Sequence, residues 1–118
     1  MMNVFAVGVG GAIGAMLRYG ISLIPFPGEF PLATLVTNFL GALAIGILAA
    51  KAGQISPRAM LLLKTGVCGG FTTFSTFSLE AYTLFRQAHY LLAGGYVLLS
   101  LMLCLVGVGI GLMLGARA

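Results

Sequence analysis

The sequence predicts an all-α integral membrane protein with four transmembrane helices, the third of them broken. Three observations point that way. Of 118 residues, 60% are hydrophobic and only 7% are charged, whereas about a quarter of a soluble domain is charged. Four apolar stretches, about Asn3 to Leu23, Pro31 to Ala50, Ala59 to Phe85 and Leu91 to Gly115, each approach or exceed the length that crosses the hydrocarbon core as a helix. The third is too long for one span and is interrupted near its centre by Gly69-Gly70-Phe71-Thr72-Thr73.

Within the first stretch, no Lys or Arg precedes the apolar run and Arg18 lies at its far end, so it reads as a mature span rather than a signal peptide. Gly10 and Gly14 are spaced for close helix packing. Pro25, Pro27 and Gly28 then make a connection rich in helix breakers. The second stretch holds Thr34 and Asn38 one turn apart on one face. In the next connection, Ser56 is a plausible N-cap with Pro57 at the first helical position. Arg86 to Tyr90 joins the third stretch to the fourth. There Gly107, Gly111 and Gly115 form a small-residue packing ladder, and Tyr96, Ser100 and Cys104 make a thin stripe at one-turn spacing. Residues 1–118 thus read as a single transmembrane domain, and short connections confine function to the helices.

Composition also excludes classes of function. Cys68 and Cys104 lie inside spans, with no CxxC motif and no His/Cys cluster to hold a metal. A net charge of +4 suits loops that meet anionic lipid headgroups, and implies no nucleic acid partner. No nucleophile–base pair or metal constellation suggests an enzyme. The alternative of a small four-helix, dual-topology multidrug exporter needs an acid deep in the first span. That span has neither Asp nor Glu.

The segment from Gly69 to Glu80 is the richest in chemistry, because it sets paired glycines, Thr72, Thr73, Ser75, Thr76 and Ser78 in apolar surroundings. Unsatisfied polar groups cost several kcal/mol each in hydrocarbon, so such a segment must pack on protein or line a cavity. The glycines are expected to unwind the helix and free carbonyl oxygens, which bind cations in broken-helix membrane proteins. Phe74 and Phe77 share one helical face, with Phe71 continuing the spacing. Asn38 could bind an anion through its amide NH2 or simply join helices, and spacing leaves both open. Arg18 and Glu80 lie near helix ends, where their chains can snorkel.

Four short helices fill their own interior, so a transport route requires a second subunit. Loop cations barely favour one side. Lys51, Arg58 and Arg117, with Lys64 expected near the membrane surface, oppose Arg18 and Arg86, so both orientations are permitted.

Over essentially its whole length the chain resembles the Fluc (CrcB) family of fluoride channels. The matching motifs are Gly10-Gly11-Ala12-Ile13-Gly14 leading to Arg18-Tyr19, the run Thr34-Leu35-Val36-Thr37-Asn38-Phe39-Leu40-Gly41, and above all Gly69 through Ser78. The resemblance implies an antiparallel, dual-topology homodimer in the bacterial plasma membrane, exporting fluoride passively through two pathways at its interface. It assigns Asn38 to the pore lining, with Thr34 on the same face. The ring edges of Phe74 and Phe77 would contact fluoride, Ser75 and Thr76 would extend the polar lining, and Arg18 would stand near the entrance. Glu80, Tyr96, Ser100 and Cys104 would form a polar track. The backbone carbonyls of Gly69 and Thr72, from both subunits, would hold a structural sodium ion that is not transported. Two positions depart from the family pattern. Cys104 replaces a common serine and Val108 a common threonine, so hydrogen-bond donors weaken along that track.

Overall fold

The computed structural model describes residues 2–117, and among these every regular element is helical. Helix α1 is Met2–Ser22 and α2 is Leu32–Ala50, followed by a 3-10 turn at Ala52–Gln54. Helix α3, Pro57–Met60, runs into a π-helical stretch, Leu61–Cys68, and then into α4, Gly69–Phe71. Together they make one continuous rod over residues 57–71. Helices α5, Phe74–Arg86, and α6, Tyr90–Arg117, complete the chain. By length and hydropathy, α1, α2 and α6 can each cross a bilayer. Their outer faces expose residues such as Val4, Phe5, Leu91 and Leu105, which suits a lipid environment. This is a membrane protein.

The third stretch breaks later than its glycines suggest. Gly69 is helical, with φ −64° and ψ −38°, whereas Thr72 (φ −82°, ψ 157°) and Thr73 (φ −148°, ψ 124°) are extended. Both glycines therefore belong to the rod. The physical reason is packing: a Cβ on Gly70 would lie 3.0 Å from the Cα of Gly11, so this residue admits α1 rather than unwinding the helix. The interruption falls instead on two β-branched threonines, whose side chains favour extended backbone.

Two helix pairs result. Helix α1 lies along the rod, and α2 lies along α6, while α5 leans on α6. Each pair approaches backbone to backbone. A Cβ on Gly10 would come within 2.9 Å of the Gly66 Cα, and one on Gly111 within 2.9 Å of the Gly46 Cα. Gly14 and Gly115 also face backbone atoms of the neighbouring helix, whereas Gly107 makes room for the side chains of Phe39 and Ala42. At one end, Leu35, Leu84, Ala93 and Tyr96 form a small core joined by Phe30 and Phe77.

The connections are locally specified. Ser56 caps α3, its Oγ accepting from the Ala59 N–H at 3.2 Å, with Pro57 at the first position. Gly28 takes a positive φ of 84° in the α1–α2 connection, a conformation that glycine adopts at little cost. His89 Nε2 lies 3.0 Å from Glu29 Oε2, which ties that connection to the one between α5 and α6.

Candidate functional site: a polar break beside an apolar groove

An irregular segment in an apolar protein must satisfy its backbone from elsewhere, and here α2 supplies the partner. Asn38 Oδ1 accepts from the Thr73 N–H at 2.9 Å, and Asn38 Nδ2 donates to the Thr73 carbonyl at 3.1 Å. One amide thus closes both backbone groups of Thr73. It uses a single hydrogen of its NH2 for this, so a second N–H is left over. The two readings of Asn38 that spacing left open are therefore compatible: the side chain joins helices and retains a donor.

The threonines terminate one helix and begin the next. The N–H and the hydroxyl of Thr72 both donate to the Cys68 carbonyl, at 3.0 and 2.9 Å, and end the rod. Thr73 Oγ1 accepts from the Thr76 N–H at 3.1 Å and caps α5. Gly41 admits Thr72 against α2, since a Cβ there would collide with the threonine methyl group. From α1, Arg18 Nε donates to the Gly70 carbonyl at 3.3 Å. The arginine is engaged at the break, not only snorkelling at a helix end.

These bonds have a consequence for the carbonyls. In a continuous helix the Thr73 N–H would close on Gly69 and the Thr76 N–H on Thr72. Asn38 Oδ1 takes the first donor and Thr73 Oγ1 the second. The carbonyl oxygens of Gly69 and Thr72 are left without those partners.

Beside the break lies a groove of about 420 Å³, open on one side. Helix α2 contributes Asn38, Gly41, Ala42 and Ile45, the rod contributes Lys64, Cys68 and Gly69, and Thr72 of the break joins them. Helix α6 forms the facing wall with Ser100, Leu101, Cys104 and Val108, and Phe74 and Phe77 close one end. Ser100 Oγ is buried without a hydrogen-bond partner, so its hydroxyl is the uncommitted polar group of that wall. Phe74 is 77% exposed, with its ring 5.5 Å from that of Phe77. Phe77 in turn stacks at 5.1 Å on Tyr96, which is wholly buried and meets Phe30 edge-on at 5.5 Å. The Tyr96 hydroxyl donates to Glu80 Oε1 at 2.9 Å.

Asn38, Gly69, Thr72, Phe74, Phe77, Ser100 and Cys104 thus converge on the groove. The other candidates lie apart from it. Thr34 and Tyr96 are buried outside the lining, Ser75 and Thr76 lie on α5 beyond it, and Arg18 approaches the break from α1. Glu80 borders a second cavity of about 530 Å³ beneath the α1–α2 connection, together with Glu29, Thr83 and Gln87. Sequence reasoning gave no role to Thr73, although a threonine that directly follows an interruption and opens a helix is an N-cap signature. It also missed the groove-facing position of Lys64, four residues before Cys68 on the rod. Spacing alone held no sign of that, because the groove appears only when α2 and α6 are in place.

A family model described as CrcB-like protein, Camphor Resistance (CrcB), matches residues 5–112, which include every residue of the break and the groove. The chain belongs to this family. Proteins named fluoride-specific ion channel FluC are similar to it over nearly their full length. One from Roseiflexus sp. (strain RS-1) is 45% identical over 116 residues, which covers 93% of this chain and 94% of that protein. Another from Chlorobaculum tepidum is 48% identical over 106 residues, covering 86% and 84%. A third, from Methanococcus maripaludis, is 40% identical over 114 residues, covering 94% and 93%. The family match on this CrcB-like chain thus runs from Phe5 in α1 to Leu112 in α6.

Proposed function

We propose that this chain is a fluoride-selective channel that lets fluoride leave the cell passively across the plasma membrane. The observation that carries the reading is the helix break, which sets two opposite electrostatic ends side by side. The C-terminal end of the rod is electronegative and has carbonyls without intrahelical donors, while the N-terminal end of α5 is electropositive and suits an anion. The names of the full-length relatives supply the ion.

An anion that leaves water needs replacements for its hydration shell. The groove offers the second N–H of Asn38, the uncommitted Ser100 hydroxyl and the positive ring edges of Phe74 and Phe77. Such neutral donors hold fluoride loosely enough to release it. Among the described residues no acid lines the groove, so no carboxylate there couples flux to protons.

The groove is open along one side, and a largely exposed Phe74 stands at its edge. A second copy would complete the wall. The slight charge asymmetry of the connections permits an inverted copy, so the proposed assembly is an antiparallel homodimer in which the rod and α5 together act as a broken third span. The Gly69 and Thr72 carbonyls, released by the diverted donors of Thr73 and Thr76, fit a structural sodium ion held by both copies. Bound there, sodium would supply fixed positive charge to the interface.

Liposomes that contain the protein are expected to release fluoride, but not chloride, when valinomycin and potassium provide the compensating current. Equal release without the ionophore, accompanied by proton movement, would show an exchanger and overturn the channel. The inverted dimer is tested separately by a single cysteine at Ser56 in a Cys68→Ala, Cys104→Ala background. Labelling in intact cells should find both orientations in near-equal amounts, and one uniform orientation rejects the antiparallel pair. Replacement of sodium by a large organic cation should weaken dimerisation or flux; indifference after prolonged exchange removes the ion.

A further inference from the structure

The groove has two ends of different chemistry. Near the break, Asn38, Ser100, Phe74 and Phe77 provide donors, whereas further along α6 the lining passes to Cys104 and Val108. A thiol is a weak donor and a valine side chain has none. Ile45 from α2 adds nothing polar. By side-chain chemistry that end should repel a small hydrated anion, yet it also contains the groove's one fixed charge.

That charge is Lys64. It stands on the rod four residues before Cys68, and both line the groove together with Thr72 of the break. Among the described residues, no carboxylate neutralises it. The chain has only two acids in all, Glu29 and Glu80, and both border the other cavity. Each is already engaged, Glu29 by His89 and Glu80 by the Tyr96 hydroxyl. Among the described residues, Lys64 has neither an ion pair nor a side-chain hydrogen bond, and it is exposed.

The geometry points to Lys64 as the anion-recruiting residue of the pathway, which draws small hard anions into the end of the groove where Cys104 and Val108 supply no donors. This inference rests on the channel reading. A cation in a cleft with low-dielectric walls raises the local concentration of anions and their rate of entry, without having to coordinate them at the narrowest point. Its flexible four-carbon stem lets the charge sit at the mouth, where water still reaches it. Recruitment and selection are thereby divided: Lys64 concentrates anions of any kind, and the uncharged donors near the break discriminate among them.

The division determines what kinetics should show. Flux is measured in valinomycin-treated liposomes as a function of fluoride concentration for the unmodified chain, Lys64→Met and Lys64→Arg, each first checked for a monodisperse size-exclusion peak. Lys64→Met should raise the half-saturating fluoride concentration roughly ten-fold with little change in maximal rate, because the lost term is entry rather than passage. Lys64→Arg should restore the parental value. In the unmodified chain, added inert salt should raise the half-saturating concentration by screening the ammonium, and Lys64→Met should be insensitive to it. The salt titration needs no variant and so survives a failure of Lys64→Met to fold. An unchanged half-saturating concentration in Lys64→Met overturns the role, as does a lower maximal rate alone, an arginine variant as impaired as methionine, or salt-independent flux in the unmodified chain. No fluoride release by the unmodified chain would overturn the channel itself, and the recruiting role with it.

Discussion

Helix α2 takes part in both the α2–α6 contact and the helix break, yet the two solve the same problem in opposite ways. Along α2 and α6, Gly46 and Gly111 remove side chains so that two regular backbones touch, and all backbone bonding stays within each helix. At Thr72 and Thr73 the backbone is irregular, and a side chain, Asn38, supplies what the helix no longer does. The first arrangement leaves no room for a ligand. The second leaves carbonyls, an amide hydrogen and a helix N-terminus uncommitted. Stability in this protein is therefore concentrated where side chains are absent, and chemistry where helical bonding is absent.

The sharpest way to break the comparison is to put a side chain into the close contact. Gly111→Leu would drive its Cβ to within 2.9 Å of the Gly46 Cα, with backbone atoms that cannot move aside like a side chain tip. Overpacking costs about 1–3 kcal/mol where side chains can adjust, and more is expected here because main chain is displaced. The expected outcome is loss of the folded, monodisperse protein in detergent. Gly109, whose Cβ would meet nothing within 4 Å, provides the control: Gly109→Leu should express and elute normally.

Asn38→Ala tests the other half. It leaves the Thr73 N–H and carbonyl without partners, at up to about 1–3 kcal/mol for each of these part-buried groups. The α2–α6 seam is untouched, so the protein should still fold. Amide hydrogen exchange should accelerate at Thr73 and its neighbours while Gly46 and Gly111 remain protected, and fluoride flux should fall at least about 100-fold. Flux near the parental value would show that Asn38 only joins helices.

Phe74 and Phe77 allow a finer distinction within the site. Their rings are 5.5 Å apart, but only Phe77 also stacks on buried Tyr96, at 5.1 Å. Both Phe74→Ile and Phe77→Ile should reduce flux roughly ten-fold through lost ring edges, an amount that corresponds to about 1.4 kcal/mol at the barrier. Only Phe77→Ile should also lower the thermal midpoint noticeably, since an aromatic pair adds about 0.5–1.5 kcal/mol. Equal destabilisation by both would mean that Phe74 is a packing residue.

These contrasts also explain what could be read in the sequence. The long apolar stretches and glycine ladders were legible, because hydropathy and four-residue spacing are properties of a single helix. The position of the break was only approximately so. Gly69-Gly70 suggests unwinding when seen alone, but the neighbouring α1 turns Gly70 into a packing surface and moves the interruption to the threonines. The π-helical register of Leu61–Cys68 has no sequence signature that an α-helix would lack. Asn38 was ambiguous for a different reason, since an amide can serve backbone and ligand together. Lys64 could be placed on a helix but not on a groove, because four separate elements create that groove.

The smallest effect concerns the α6 wall, where Cys104 offers a weak donor and Val108 none. Cys104 is half-buried, lines the groove and has no disulfide. Cys104→Ser is nearly isosteric and replaces a weak donor with a stronger one, so it should fold normally. One turn away, the unpartnered Ser100 hydroxyl already shows that this wall tolerates an uncommitted donor. If fluoride passes along it, the serine variant should raise flux modestly, about two-fold, which is the scale of a fraction of one neutral hydrogen bond. A complete loss of flux would place Cys104 in packing rather than in the path. No change at all would confine the fluoride path to the Asn38 and phenylalanine end, and the contrast between sealed helices and open break would then hold within the groove itself.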